Sequence, residues 1–227
     1  MALRPSAGAR TLADVALAEL REAIVSGEIP PGTPIRLQEY VDRLGMSTVP
    51  IREALRFLEQ KGLIERTPHR GVYVSAMSAR DLDDTYLIRL DLESRAVRLA
   101  AERMTEADGA RILGRVEDYA KASLAGDPVA RDIHGDIHMS LYELSGSKWL
   151  LLLLPMLWDN SERYRRLSLP LRGTPEQRIE EHRQIVEACA AGDPDQAEAL
   201  LRNHLSNSFE AAIASLRDGE QDDLAAT

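Results

Sequence analysis

The sequence predicts a mainly α-helical protein, an N-terminal winged helix-turn-helix followed by an all-α bundle of six helices. Three observations predict it. Aromatic residues are only 4% of the chain, which favours helices built on Leu and Ala over a β-sandwich. Apolar residues recur at helical spacing almost throughout, interrupted only around residues 63–75. Gly and Pro clusters break the pattern at intervals of one helix. The 227 residues suffice for one large domain or two small ones.

Residues 1–10 carry no periodicity and read as a disordered N-terminus. Thr11-Leu-Ala-Asp14 resembles a capping box, and Leu17, Leu20 and Ile24 follow at helical spacing until Gly27 and Pro30-Pro31-Gly32 end the helix. A second helix follows Pro34, turns Leu37, Val41 and Leu44 inward and stops at Gly45. Ser47 can cap a third, with Pro50 in its tolerated first turn and Ile51, Ala54, Leu55 and Leu58 as its buried stripe. Two helices separated by Gly45-Met46 make a helix-turn-helix. Leu63 to Thr67 and Val72 to Ser75 then read as strands joined by Pro68-His69-Arg70-Gly71, a hairpin wing.

Residues 76–80 form a short linker between this unit, 11–75, and a helical domain over 81–217. Breaks at Thr105, Gly126-Asp127-Pro128, Gly146, Gly173-Thr174-Pro175 and Gly192-Asp193-Pro194 divide that domain into six helices. Residues 218–227 read as a frayed polar tail.

The formal net charge of −9 is unevenly placed: residues 1–78 carry +1 and residues 79–227 carry −10. Any contact with phosphate therefore falls to the first segment. Cys189 is the only cysteine, so no internal disulfide forms and no oxidising compartment is required. The N-terminus lacks the apolar run of about 7–15 residues found in signal peptides, which points to the cytoplasm. The longest apolar run, Trp149 to Trp158, contains Pro155 and falls well short of the roughly 20 residues of a membrane span, so it reads as a buried helix.

On the third helix, Thr48, Val49, Arg52, Glu53 and Arg56 lie outside the apolar stripe. A helix in the major groove reads bases from its N-terminal turns: Arg52 suits guanine, while Ser47 and Thr48 reach phosphate. His69, Arg70 and Gly71 at the wing tip suit the adjacent minor groove, and Arg36 joins the candidate DNA-contacting set. Ser47-Thr-Val-Pro-Ile-Arg-Glu-Ala-Leu55, with Leu58-Glu59, Gly62-Leu63, Arg70-Gly71-Val72-Tyr73-Val74 and the preceding Ile24 to Gly32, resembles the winged helix of GntR-family transcriptional regulators. That family usually has Arg where this chain has Thr48, which places more of the base reading on Arg52.

Four of the five histidines, His134, His138, His182 and His204, lie in the second domain. The first two are one turn apart on one helix, an arrangement that offers two imidazoles to one metal, with one more from each of two later helices. The pattern Arg89-Leu-Asp-Leu-Glu93, His138-Met-Ser-Leu141, Glu181-His182-Arg-Gln-Ile185 and His204 resembles the FadR C-terminal domain, FCD, of the FadR subfamily. The resemblance implies a divalent metal held by three histidines and an aspartate, beside a small organic acid effector. His138, His182 and His204 match the three histidine positions, and His134 stands where that family has Asp. A site of neutral imidazoles favours zinc, nickel or cobalt. Asp132 or Asp136 could take the missing carboxylate's place through a shifted helix.

Arg89 either binds the effector carboxylate or pairs with Glu93 one turn on, and Arg163 and Arg165 are further effector candidates. No His-Glu-x-x-His run, nucleophile elbow, P-loop or dinucleotide fingerprint is present, so the expectation is not an enzyme. Glu181 beside His182 is a poor general base, because neighbouring helix residues point about 100° apart. The expectation is a homodimeric repressor of a palindromic operator in double-stranded DNA, released by a carboxylate, with no membrane association. A metal-sensing regulator is the alternative; a metal-dependent hydrolase and a purely architectural DNA-binding dimer are weaker ones.

Overall fold

The computed structural model describes residues 11–68 and 70–225, so the expectation of a disordered N-terminus lies outside the described residues. The chain divides into two compact units between Met77 and Ser78.

In the first unit, α1 (Leu12–Val25), α2 (Leu37–Leu44) and α3 (Thr48–Gln60) precede an antiparallel hairpin of β1 (Ile64–Thr67) and β2 (Gly71–Val74). The Thr11/Asp14 capping box forms in full and starts α1. Gly45 ends α2 in the left-handed conformation (φ 62°) that permits the sharp turn into α3. Leu20 and Ile24 of α1 and Ile51, Leu55 and Leu58 of α3 meet in one core with Ile64 and Val74 of the wing. The hairpin register is Ile64 to Val74 and Thr67 to Gly71. The segment before α2 closes the hairpin's free edge: the Ile35 amide donates to the Val72 carbonyl at 2.8 Å and the Val74 amide to Thr33 at 3.0 Å. Pro34 can lie there because an edge strand spares its missing N–H.

The second unit contains α4 (Ala79–Arg103), α5 (Glu106–Leu124), α6 (Ala130–Glu143), α7 (Lys148–Ser168), a 3₁₀ turn at Leu169–Leu171, α8 (Pro175–Ala190) and α9 (Pro194–Ala225). Helix α4 packs on α7 and α9, α5 packs on α6 and α8, and α8 packs on α9. Their shared core includes Val97, Ile112, Val116, Ile137, Leu141, Leu154, Val186, Leu201 and the wholly buried Cys189. Burial pushes the Cys189 thiol up to about 12.

Three features differ from the sequence reading. Helix α4 starts at Ala79 because Ser78, not a later residue, caps it by accepting from the Asp81 amide, which shortens the linker. The backbone stays helical through Ala225, into the stretch read as a tail: Gly219 is the only breaker after Pro194, and a single glycine costs only about 1 kcal/mol. Helix α7 is not buried all round. Leu150, Leu154 and Trp158 face the core, whereas Trp149, Leu152 and Leu153 are exposed, because an unbroken apolar run places apolar side chains on both faces of a helix.

Candidate functional site

The face of α3 expected to meet DNA is open. Thr48, Val49, Arg52 and Arg56 are all exposed, Val49 at 68%. Ser47 occupies the N-cap position with its hydroxyl making no capping bond, so the group is left for an outside acceptor or donor. Among the described residues, neither Arg52 nor Arg56 forms an ion pair. Both line a shallow groove that runs to Gly71 of the wing. Arg66, which the sequence reading did not single out, lines the same groove and lies 3.4 Å from Glu59. The two-residue strand period reveals it, since Ile64 and Arg66 share the face turned to α3. Arg36 is exposed beside Glu39, Arg70 is exposed at the wing tip, and His69 lies outside the described residues. Gly71, with φ 107°, adopts a backbone that a larger residue strains to reach.

In the second unit, helices α6, α8 and α9 bring His134, His138, His182 and His204 together, all buried, with their ligating atoms within 4.8 Å of one another. Three of the rings are oriented by their Nδ1 atoms. His138 Nδ1 lies 3.0 Å from the Tyr142 hydroxyl, His182 Nδ1 donates to the Arg178 carbonyl at 2.5 Å, and His204 Nδ1 lies 2.8 Å from Glu181 Oε2. With Nδ1–H spent on these acceptors, each Nε2 presents a lone pair. The Nε2 atoms of His138 and His182 are 3.1 Å apart. Burial holds all four imidazoles neutral, His182 at about 4 and the other three well below the ordinary histidine value.

Two lone pairs at that distance repel unless a cation lies between them, and two imidazoles on one ion with bonds of about 2.0–2.1 Å come about this close. His134 Nδ1 is itself buried with no hydrogen-bond partner, an orphan that a metal bond satisfies. The donor set therefore fits a divalent transition metal. Asp132 and Asp136 stand outside the cluster, exposed and paired with Arg131 and Arg115. They lie on the far side of the helix that turns His134 and His138 inward.

Support for the rings extends outward. Tyr142 donates to Glu93, which also accepts from Arg89 Nε at 2.6 Å. Glu181 accepts from Arg172 as well as from His204, so it braces α9 rather than acting as a base beside His182. The sequence reading did not single out Tyr142, although its place one helical turn after His138 is the signal that could have found it. The pairing of Glu181 with α9 has no such local signal.

Arg89 takes the ion-pair alternative: it is buried against Glu93 and stacks on Tyr86 and Trp158. Burial opposes its charge, but Glu93 outweighs this and raises its pKa. Arg165 lines a cavity of about 340 Å³ that reaches His134, gripped there by Glu162 at 2.6 Å. Arg163 does not line this cavity, because residues two apart on a helix point roughly 200° apart. It is buried, and burial lowers its pKa.

Residues 12–74 match the family described as bacterial regulatory proteins, gntR family, and residues 84–207 match the FCD domain. A probable D-xylose utilization operon transcriptional repressor of Paenarthrobacter nicotinovorans is 32% identical across 85% of this chain and 84% of its own length. The HTH-type transcriptional regulator BphR of Paraburkholderia xenovorans (strain LB400) is 29% identical across 90% and 86%. Among solved structures, E. coli McbR/YncC shares the fold with a TM-score of 0.81 at 23% identity, covering 92% of this chain and all of that one. Among the described residues, no helix is long and apolar enough to cross a membrane. With a winged helix and an FCD domain that alone spans more than half the sequence, the chain belongs to the GntR family of DNA-binding transcriptional regulators and is not an enzyme.

Proposed function

We propose that this regulator is a cytoplasmic, homodimeric repressor whose affinity for a palindromic operator is set by a small carboxylate bound beside a divalent metal. The observation that carries the reading is the convergence of three imidazoles, each fixed through Nδ1 by a different partner, on one buried point. Such outer partners are what orient and strengthen metal-binding histidines. His134, His138, His182 and His204 would hold the ion, and their neutral nitrogens favour zinc, nickel or cobalt. When bound, the ion supplies a positive centre for a carboxylate oxygen.

The chain's own residues do the rest. Arg165 stands beside His134 on the cavity wall, while Trp158 packs on His134 and His138 and keeps the cluster dry. Exposed Trp149, Leu152 and Leu153 on α7 offer an apolar face to a second copy. An acid that favours one arrangement of the dimer's two winged helices shifts operator affinity by that preference, typically about 1–3 kcal/mol.

The test is a thermal-shift screen of purified protein against carboxylates, before and after chelator treatment. A ligand at 100 times its Kd adds about 2.7 kcal/mol, or roughly 5–10 °C at about 2–4 °C per kcal/mol. An acid that stabilises only metal-loaded protein supports the proposal. If chelation lowers the Tm while no acid raises it, the metal-sensing reading replaces it.

At the DNA site, Arg52→Ala is expected to erase preference for the operator over random DNA, a loss of about 1–3 kcal/mol at the affected base pair, with the fold intact. An unchanged footprint with unchanged selectivity would remove α3 from its assigned role.

A further inference from the structure

One compact unit gives way to the other between Met77 and Ser78, so the covalent path between them depends on what holds Ser78. Ser78 is the N-cap of α4, and an N-cap amide has no acceptor within its own helix. Its acceptor comes from 86 residues away: the Ser78 amide donates to the Tyr164 hydroxyl at 3.1 Å. That hydroxyl donates in turn to Asp81 Oδ2 at 2.6 Å and lies 3.3 Å from the Ser78 carbonyl. Ser78 Oγ accepts from the Asp81 amide, so the helix start is capped without the tyrosine. What Tyr164 adds is a tie between the first turn of α4 and α7. Its ring is buried at 1% exposure, and among the described residues its hydroxyl bonds only to Ser78 and Asp81.

The same helix touches the histidine cluster. Six residues before Tyr164, about 9 Å along the axis, Trp158 packs on the rings of His134 and His138 with centroids 5.3 and 4.9 Å apart. A shift of those rings displaces Trp158, and the hydrogen-bonded turns of a helix pass a displacement on to Tyr164. Just upstream, Pro155 supplies no amide for the Leu151 carbonyl, which makes α7 easiest to bend there. The stretch from Trp158 to Tyr164 is thus a short stiff lever, with the imidazoles at one end and the first turn of the second unit at the other.

We infer that Tyr164 is the positioning residue that carries the state of the histidine cluster to the junction at Ser78. When the imidazoles are drawn together, Trp158 is fixed, Tyr164 keeps its bond to Ser78, and the backbone entering α4 holds one course. When they are not, that bond opens and the entry loosens. The inference rests on the metal reading above and adds the route by which the bundle acts on the winged helix. Helix α4 has a second tie to the cluster, from Glu93 through Tyr142 to His138, but it lies fifteen residues beyond Ser78, whereas Tyr164 holds the junction itself.

The experiment is hydrogen–deuterium exchange on the full-length protein, zinc-loaded and chelator-stripped, followed at the Ser78 amide. Zinc is expected to slow exchange there about tenfold, the order of one hydrogen bond. Tyr164→Phe keeps the ring in the core and is expected to bind zinc within about twofold of the parent, while the zinc-dependent difference at Ser78 falls below about twofold. Amides of α6 and α8 should still respond to zinc in the variant. Asp81→Asn changes an exposed residue and leaves its backbone cap in place, so it serves if Tyr164→Phe does not fold; it is expected to shrink the same difference. Zinc uptake by wild type with no change at Ser78 overturns the inference and leaves the metal reading standing. So does a Tyr164→Phe protein that exchanges faster at Ser78 by the same factor with and without zinc, the mark of a merely structural bond. Wild-type protein that takes up no zinc overturns both.

Discussion

His138→Ala is expected to cost at least about 100-fold in metal affinity and to remove the response to effector with it. Outer partners of metal-bound histidines are alone worth about 10–100-fold, and this substitution deletes a proposed ligand together with its support. The His138 ring lies 3.1 Å from His182 through Nε2 and is tied to Tyr142 through Nδ1, so it links the cluster's centre to the Glu93 network. Zinc titration against a chromophoric chelator measures the loss. A parallel thermal-shift experiment asks whether the stabilising acid still acts. An effector response that survives in the variant, or in wild-type protein stripped of metal, separates the acid from the histidines and overturns the coupling of the two.

Glu93→Gln is expected to be the most destabilising single change in this network. Glu93 is 1% exposed, accepts from Arg89 at 2.6 Å and 3.4 Å, and takes the Tyr142 hydroxyl as well. The amide keeps the size but removes the charge, leaving the Arg89 guanidinium buried without its counter-ion. Removing one partner of such a pair costs about 3–5 kcal/mol, which at about 2–4 °C per kcal/mol lowers Tm by roughly 6–20 °C. Adding Arg89→Met to Glu93→Gln should restore most of the loss, because the stranded charge is then gone. A Glu93→Gln protein melting within about 2 °C of the parent removes the pair from any central role in stability.

What sequence revealed and what it hid divide along physical lines. Local signals were legible: the Thr11/Asp14 box, the Gly45 stop and the breaks at Thr105, Gly126, Gly146, Gly173 and Gly192 all mark real ends of helices, because capping and left-handed turns depend on neighbours in the chain. The i, i+4 spacing of His134 and His138 likewise survives into the fold as one inward face. Long-range pairings were not legible. Nothing near Glu181 in the chain announces that its carboxylate crosses to His204, twenty-three residues on, nor that Arg131 and Arg178 line one cavity with Arg166. The continuous run from Trp149 to Trp158 misled for a related reason: with apolar residues at every position, periodicity is lost, and only packing decides which side faces out.

The buried Cys189 has a practical consequence for every metal measurement proposed here. A thiol at about 12 with no exposed surface carries almost no thiolate near neutrality, and thiolate is the form that binds soft ions and meets alkylating or oxidising reagents. The native protein should thus ignore iodoacetamide until it unfolds, and sulfur should contribute nothing to the spectrum of a cobalt-substituted sample. An ion at the proposed histidine site is then held without this thiol, so oxidation of Cys189 does not enter the ion count there.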